Sequence, residues 1–409
     1  MTALGASGGF RTVLKNRAFM RLWVAQLVSQ FGDFVALMAL FSLVAFRRGG
    51  NASQVSGILV SFYVPFILVG PVAGAMVDRW DLKRTLVGSD LIRAVLAGAL
   101  ALAATMPQLY AAFLLLCTVS CFFMPAQMVA IRLLVPKEDL LAANALNAQA
   151  MQINKVLGPA AAGLLVASLG ERACFVIDAV SFVLSAALVS TLPLRRMEAG
   201  GRRITGLLTE LQEGLAFLAQ SPALVFVTAA MVGTVLATGI FDALIPLYVR
   251  DRLGAPPQVF TSVVSLVGAG TLIGAGLVGW LGRLAPHTTL IPFGIMALGV
   301  TMIPLAFFSR TSIALVTSLC IGLAVAWVIV PAQTMMQEEA PPELLGRIFA
   351  AINGLILLAK LVSVIGAAAA ATWIGIGPLY ALVAVLLLAT GLASYTYTRV
   401  RGVATAAVS

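Results

Sequence analysis

The sequence predicts an all-α membrane protein with twelve transmembrane helices in two pseudo-symmetric six-helix bundles. Composition is the first reason. Of the 409 residues, 61% are hydrophobic and 10% are charged, where soluble domains carry about 25% charged residues. A bilayer, not a soluble core, accommodates so much apolar surface. Spacing is the second reason, because about twelve stretches reach the ~20 apolar residues a helix needs to cross a membrane. The third is an internal repeat. Pro125-Ala126-Gln127 returns as Pro331-Ala332-Gln333, Pro136 as Pro342 and Asn147 as Asn353, all 206 positions on. Lys155 returns within one residue of that spacing as Lys360, and Asp33 has a weaker counterpart, Asp242, at a spacing of 209.

Cutting at the charge and Pro/Gly clusters places the first six spans at 19–46, 54–77, 85–105, 109–131, 140–168 and 172–192. The second six fall at 221–249, 258–282, 288–308, 312–335, 344–371 and 376–398. Kinks or tilt are expected near Pro65, Pro125, Pro159, Pro246 and Pro331. Residues 1–16 carry no cleavable signal peptide, and Arg11–Arg21 reads as a basic lead-in. With the N-terminus inside, seventeen Lys/Arg lie on the cytoplasmic side and six on the other. The positive-inside rule therefore places both termini in the cytoplasm of a multi-pass plasma-membrane protein. Arg93 is expected near the inner face. The domains are 1–192, an N-terminal bundle; 193–220, a cytoplasmic linker; and 221–409, a C-terminal bundle. Within the linker Ile204, Leu207, Leu208, Leu211, Leu215 and Leu218 recur at helical spacing, which predicts an amphipathic helix on the inner membrane surface.

The net charge of +10 is spread between apolar runs rather than gathered on a patch. It suits anionic lipid headgroups and argues against nucleic acid. One histidine and no Gly-rich phosphate loop followed by Lys-Ser/Thr leave neither a hydrolase nor an ATP-driven pump supported. Cys117, Cys121, Cys174 and Cys320 lie in apolar runs and read as buried thiols; no metal site is expected.

Embedded charges are the candidates for chemistry. Asp33, Lys155, Asp178, Asp242 and Lys360 fall within spans, where a charge costs at least about 2.5–3.5 kcal/mol and persists only with a partner, a cavity or a substrate path. Asp33 or Asp242 is expected to exchange protons with a wet cavity. Lys155 and Lys360 are expected to contact substrate or pair with these acids. Gln152 and Asn154 lie on an unusually polar stretch that favours the same cavity, while Asp178 reads as scaffold. Static ion pairs bolting helices together are the competing reading.

The segment Gly70–Arg84 is the most specific local signal. Gly70 and Gly74 stand at small-xxx-small spacing, which allows close helix approach. Asp78 sits where the second span ends, and Arg79, Asp81, Lys83 and Arg84 follow. The Gly74-x-x-x-Asp78-Arg79 pattern resembles the loop motif of the major facilitator superfamily. Phe19-x-Arg21-Leu22-Trp23, Asp90-x-x-Arg93 and Gly158-Pro159-x-x-x-Gly163 are similar to those of its macrolide-efflux and enterobactin-exporter branch. The resemblance implies the major facilitator fold, an inner gate at Gly74, Asp78, Arg79, Asp81, Lys83 and Arg84, and an antiporter-like kink at Gly158, Pro159 and Gly163. It further implies a monomeric exporter of amphipathic drugs or siderophores, driven by a proton gradient with no cofactor, in a bacterial inner membrane. Lysophospholipid transport, or a non-transporting scaffold or channel, is the alternative. The span 109–131 lacks the arginine of many proton antiporters in that superfamily, so their coupling route does not transfer.

Overall fold

The computed structural model describes residues 10–77, 79–194, 207–281, 287–341 and 344–400. These residues are almost wholly helical. Eleven helices are long and apolar enough to cross a membrane, and a bent pair makes a twelfth. The first half holds α1 (Arg17–Phe41), α2 (Ala52–Leu68), α3 (Gly70–Val77), α4 (Leu82–Leu102), α5 (Met106–Leu134), α6 (Leu140–Leu169) and α7 (Glu171–Ser190). After α8 (Leu207–Gln220) come α9 (Pro222–Leu247), α10 (Pro257–Leu281), α11 (His287–Phe307), α12 (Thr311–Glu339), α13 (Leu345–Ile374) and α14 (Ile376–Val400).

Local chemistry sets the ends. Asn16 caps α1, its side-chain oxygen accepting the amides of Ala18 and Phe19, both at 3.1 Å. Gln108 accepts the amide of Thr105 at 3.1 Å as part of a capping box at the start of α5. Such caps satisfy amides that no helical carbonyl reaches. The second span bends by 49° between α2 and α3, just beyond Pro65. Helices α5, α6 and α12 run on through Pro125, Pro159 and Pro331. The first and seventh spans end in π-helical turns, Ser42–Arg47 and Tyr248–Arg252, which the sequence did not announce.

The repeat has a stricter register than the sequence matches suggested. Arg17 and Pro222, Ala52 and Pro257, Leu82 and His287, Met106 and Thr311, Leu140 and Leu345, and Glu171 and Ile376 each begin corresponding helices 205 positions apart. The left-handed glycines obey the same spacing: Gly49 with Gly254 and Gly170 with Gly375. Lys155 and Lys360 therefore occupy equivalent places. Asp33 and Asp242 do not, because Asp33 corresponds to Thr238 and Asp242 to Leu37.

Contacts divide the chain into two units, one of Met1–Leu43 with Ser61–Ile204 and one of Val44–Val60 with Thr205–Ser409. In the first, α1 packs on α6 and α7, and α4 packs on α5 and α7. Its apolar core at the basic end gathers Phe19, Leu22, Leu86, Phe123, Ile131 and Val189. Trp23 donates to the Leu146 carbonyl at 3.1 Å there. In the second unit, α10 crosses α12 backbone to backbone, since a Cβ on Gly322 would stand 2.1 Å from the Val267 carbonyl oxygen. The linker helix α8 lies against α13: Glu213 pairs with Arg347, and a Cβ on Gly214 would meet the Arg347 carbonyl oxygen at 2.6 Å. The amphipathic helix thus has a protein partner as well as the apolar face read from sequence.

Candidate functional site

In the second unit Lys360 lies at the middle of α13 and reaches across to α9. Its ammonium is 2.6 Å from Asp242 Oδ2 and donates to Thr238 Oγ1 at 3.2 Å. Thr238 and Asp242 are one turn apart and share a helix face. Gly239, between them, brings the helices together, since a Cβ there would stand 2.6 Å from Ser363 Oγ and 3.3 Å from Lys360 Cδ. The ammonium side is sheltered and the carboxylate side is open, at 13% and 44% exposure. A pair half open to its surroundings is a weak lock. A double-mutant cycle of Lys360→Gln and Asp242→Asn, read by thermal unfolding in detergent, is expected to give a coupling of about 1 kcal/mol or less.

In the first unit Lys155 holds the equivalent place on α6 but not the equivalent bond. It is exposed, and among the described residues it has no hydrogen-bond or ion-pair partner. The 205-residue register supplies the reason. The position matching Asp242 is Leu37, which offers an ammonium nothing, and Asp33, at the Thr238 position, lies within electrostatic range of Arg93. Asn154, expected on a wet face, is instead 2% exposed and gives its amide to the Leu27 carbonyl at 3.2 Å. It joins α6 to α1, which satisfies a polar group that lipid would leave unpaired. Gln152 is half-buried. Gly158, Pro159 and Gly163 are all buried, and a Cβ on Gly158 would stand 2.5 Å from Phe34 Cβ. That motif closes α6 onto α1.

Sequence reasoning named Asp33, Asp178, Asp90 and Arg93 separately and did not bring them together as one buried charge cluster. Asp90 and Arg93 lie mid-span on α4, 0% and 3% exposed, and pair with each other. Arg93 is therefore not near the inner face, as charge placement suggested, but at bilayer depth. Its guanidinium is held between the rings of Phe123 at 4.1 Å and Phe182 at 4.4 Å. Two aromatic faces replace water around the cation. Ser185 donates to Asp90 Oδ2 at 2.7 Å. Asp178, on α7, is 1% exposed. Ser181 reaches its Oδ1 at 3.4 Å, while Oδ2 has no hydrogen-bond partner among the described residues. A Cβ on Gly32 would come within 2.5 Å of Asp178 Oδ1, so the backbone beside Asp33 touches Asp178. Asp90 thus pairs with the guanidinium, and Asp33 and Asp178 lie within electrostatic range of the same cation. The signal in the sequence was Asp90-x-x-Arg93, an i, i+3 pair that neutralises itself on one helix face.

At the basic end, Asp78 lies outside the described residues. Asp81 caps α4, its Oδ1 accepting the Arg84 amide at 2.8 Å. Lys83 donates to the Leu192 carbonyl at 3.1 Å, tying the loop to the end of α7. Arg79 and Arg84 are exposed. Gly70 and Gly74 meet nothing within 4 Å of an added Cβ, so the close helix approach their spacing predicted is absent here. The 49° bend beside Gly70 carries this short segment away from the axis of α2.

The comparisons with known proteins agree with this architecture. The sequence pattern of the Major Facilitator Superfamily matches residues 22–363. The chain belongs to the major facilitator superfamily. It is a multi-pass membrane transporter rather than an enzyme. Among superfamily members it is 30% identical to the uncharacterized MFS-type transporter YfiS of Bacillus subtilis (strain 168), over 92% of each chain. It is 26% identical to macrolide efflux protein A of Streptococcus pyogenes, over 90% of this chain and 93% of that one. The solved nucleoside transporter NupG superposes with a TM-score of 0.76 at 12% identity, over 93% of this chain and 100% of that one. That likeness speaks for the major facilitator fold alone.

Proposed function

We propose that this protein is a proton-coupled exporter of amphipathic small molecules, macrolide-like drugs first and siderophores second, working by alternating access as a monomer in a bacterial inner membrane with both termini in the cytoplasm. One arrangement supports the proton coupling: Asp90 pairs with Arg93 in mid-span, Asp33 and Asp178 lie within electrostatic range of that one cation, and the Gly32 backbone beside Asp33 approaches Asp178. One cation against three carboxylates leaves negative charge that a low-dielectric setting does not tolerate. Bound protons neutralise it. Asp90 is committed to Arg93 and Ser185, so Asp33 and Asp178 are the groups that load and release the proton. We assign the unpartnered ammonium of Lys155 and the openable Lys360–Asp242 pair, each within its own unit, as contacts offered to substrate; the lysines favour an anionic or strongly accepting group, and the buried acids weaken that preference. The similarity to a macrolide efflux protein supports the substrate class and the export direction.

The test is erythromycin flux in proteoliposomes under an imposed pH gradient. Wild type is expected to show saturable flux that collapses with the gradient. Asp33→Asn is expected to retain erythromycin binding while losing gradient-driven flux by about tenfold or more, since proton transfer by a positioned group contributes on that scale or above. Unchanged gradient-driven flux in Asp33→Asn and Asp178→Asn alike removes the coupling assignment. Conductance in place of saturable flux identifies a channel. Flux of lysophospholipid with none of erythromycin identifies a lipid transporter of the same fold.

A further inference from the structure

Within the first unit, a cleft of about 820 Å³ opens beside the 79–81 turn and the first three turns of α4. Its lining is graded. Arg79 and Arg84 stand at the basic end, Thr85 and Ser89 follow along α4, and Ile92 and Phe122 form the apolar floor. The Trp80 ring stacks on Phe122 with centroids 5.4 Å apart, which gives the side wall an aromatic face. The carboxylate of Asp81 also borders the cleft, but it is engaged in capping α4. From Leu82 to Ile92 the helix rises about 15 Å, half of a ~30 Å hydrocarbon core. The cleft therefore runs from headgroup level to the middle of the bilayer. Its floor is open at Ile92, which is exposed, and elsewhere on α4 and α5 Leu91, Val95 and Leu115 are exposed as well.

We infer that this cleft binds one anionic phospholipid, its phosphate between Arg79 and Arg84 and an acyl chain along Ile92 and Phe122. The occupant follows from the gradient. Two guanidiniums suit phosphate in a fork geometry, and a tryptophan stacked at interfacial depth suits a lipid glycerol region. A soluble anion makes no use of the apolar half, and a zwitterionic lipid such as phosphatidylcholine brings a choline cation that opposes the two arginines. Gly88, in the wall, has nothing within 4 Å of an added Cβ, so its missing side chain leaves the room the lipid takes. The inference stands apart from the transported substrate, since none of these residues belongs to the buried charge cluster or to the Lys360–Asp242 pair.

The experiment is native mass spectrometry of the purified full chain from mixed micelles holding equal phosphatidylglycerol and phosphatidylcholine. Wild type is expected to retain one phosphatidylglycerol in preference to phosphatidylcholine. The double variant Arg79→Gln, Arg84→Gln is expected to lose retention by about fivefold per arginine. Gly88→Leu, which changes no charge and enters open space, is expected to lose it by occupying the cleft. Arg132→Gln, an exposed arginine elsewhere at the basic end, is expected to retain it. Equal loss in Arg132→Gln means diffuse surface charge and overturns the site. Full retention in Gly88→Leu, or displacement by millimolar inorganic phosphate, overturns the lipid seat. Stoichiometric displacement by erythromycin makes the cleft a substrate vestibule and overturns it equally.

Discussion

Replacing Arg93 by methionine is expected to cost about 3–5 kcal/mol of stability, the usual result of removing one partner from a buried ion pair. The side chain is 3% exposed and lies between Phe123 and Phe182. Methionine fills much of the volume and keeps contact with the rings, so the loss is chiefly electrostatic. Asp90 would remain 0% exposed with Ser185 as its donor and no cation. The added change Asp90→Asn should therefore recover much of the loss, although each single change destabilises. Arg93→Lys should fall between, because an ammonium keeps the charge but not the flat stacking between two rings. Denaturant unfolding in detergent micelles, with all four members of the cycle, measures this. A methionine variant as stable as wild type would show that the carboxylates need no cation, and the charge accounting behind the proton-coupling proposal would fail with it.

The second large effect is expected at Gly322. Substitution by leucine should cost more than about 3 kcal/mol, above the usual overpacking penalty, and sharply lower the yield of folded protein. A Cβ would lie 2.1 Å from the Val267 carbonyl oxygen and 2.7 Å from the Thr271 nitrogen. These obstacles are backbone, so no rotamer change relieves them and α10 must separate from α12. Gly270 meets the Leu319 carbonyl oxygen at 2.1 Å from the other side, so the crossing has no slack. Gly233→Ala is the control. Nothing lies within 4 Å of its added Cβ, and helix propensity favours the change by up to about 1 kcal/mol. Monodisperse yield and melting temperature report both. Equal behaviour of the two variants would mean that the α10–α12 crossing does not limit stability.

The candidate site was only partly legible in the sequence. Pairing with an acid and contact with substrate were the two expectations for Lys360, and the structure shows it beside Asp242, which leaves the substrate role to experiment. Lys155 was expected to behave like Lys360 and does not, because Leu37 stands where the second bundle has Asp242. Asn154 was assigned to a cavity on polarity alone. Polarity does not distinguish a wet face from a hydrogen bond across two helices, and the Leu27 carbonyl decides the matter. Gly70 and Gly74 illustrate the same limit: spacing permits close approach, but a neighbouring backbone must be present.

By itself the sequence determined the membrane class, the places of the spans and the duplication. Bilayer thickness fixes how long an apolar run must be, and that length is written along one dimension. It also carried the family, through short motifs that survive at fixed positions. Only the tertiary structure decided which charges meet. Each residue turns a helix by about 100°, so a repeat matched at 206 or 209 rather than 205 points a side chain at a different neighbour. Asp33 and Asp242 were paired on such a shift. Arg93 was placed by its distance from a loop, although the side it presents, toward Phe123 and Phe182, is what makes it a buried cation.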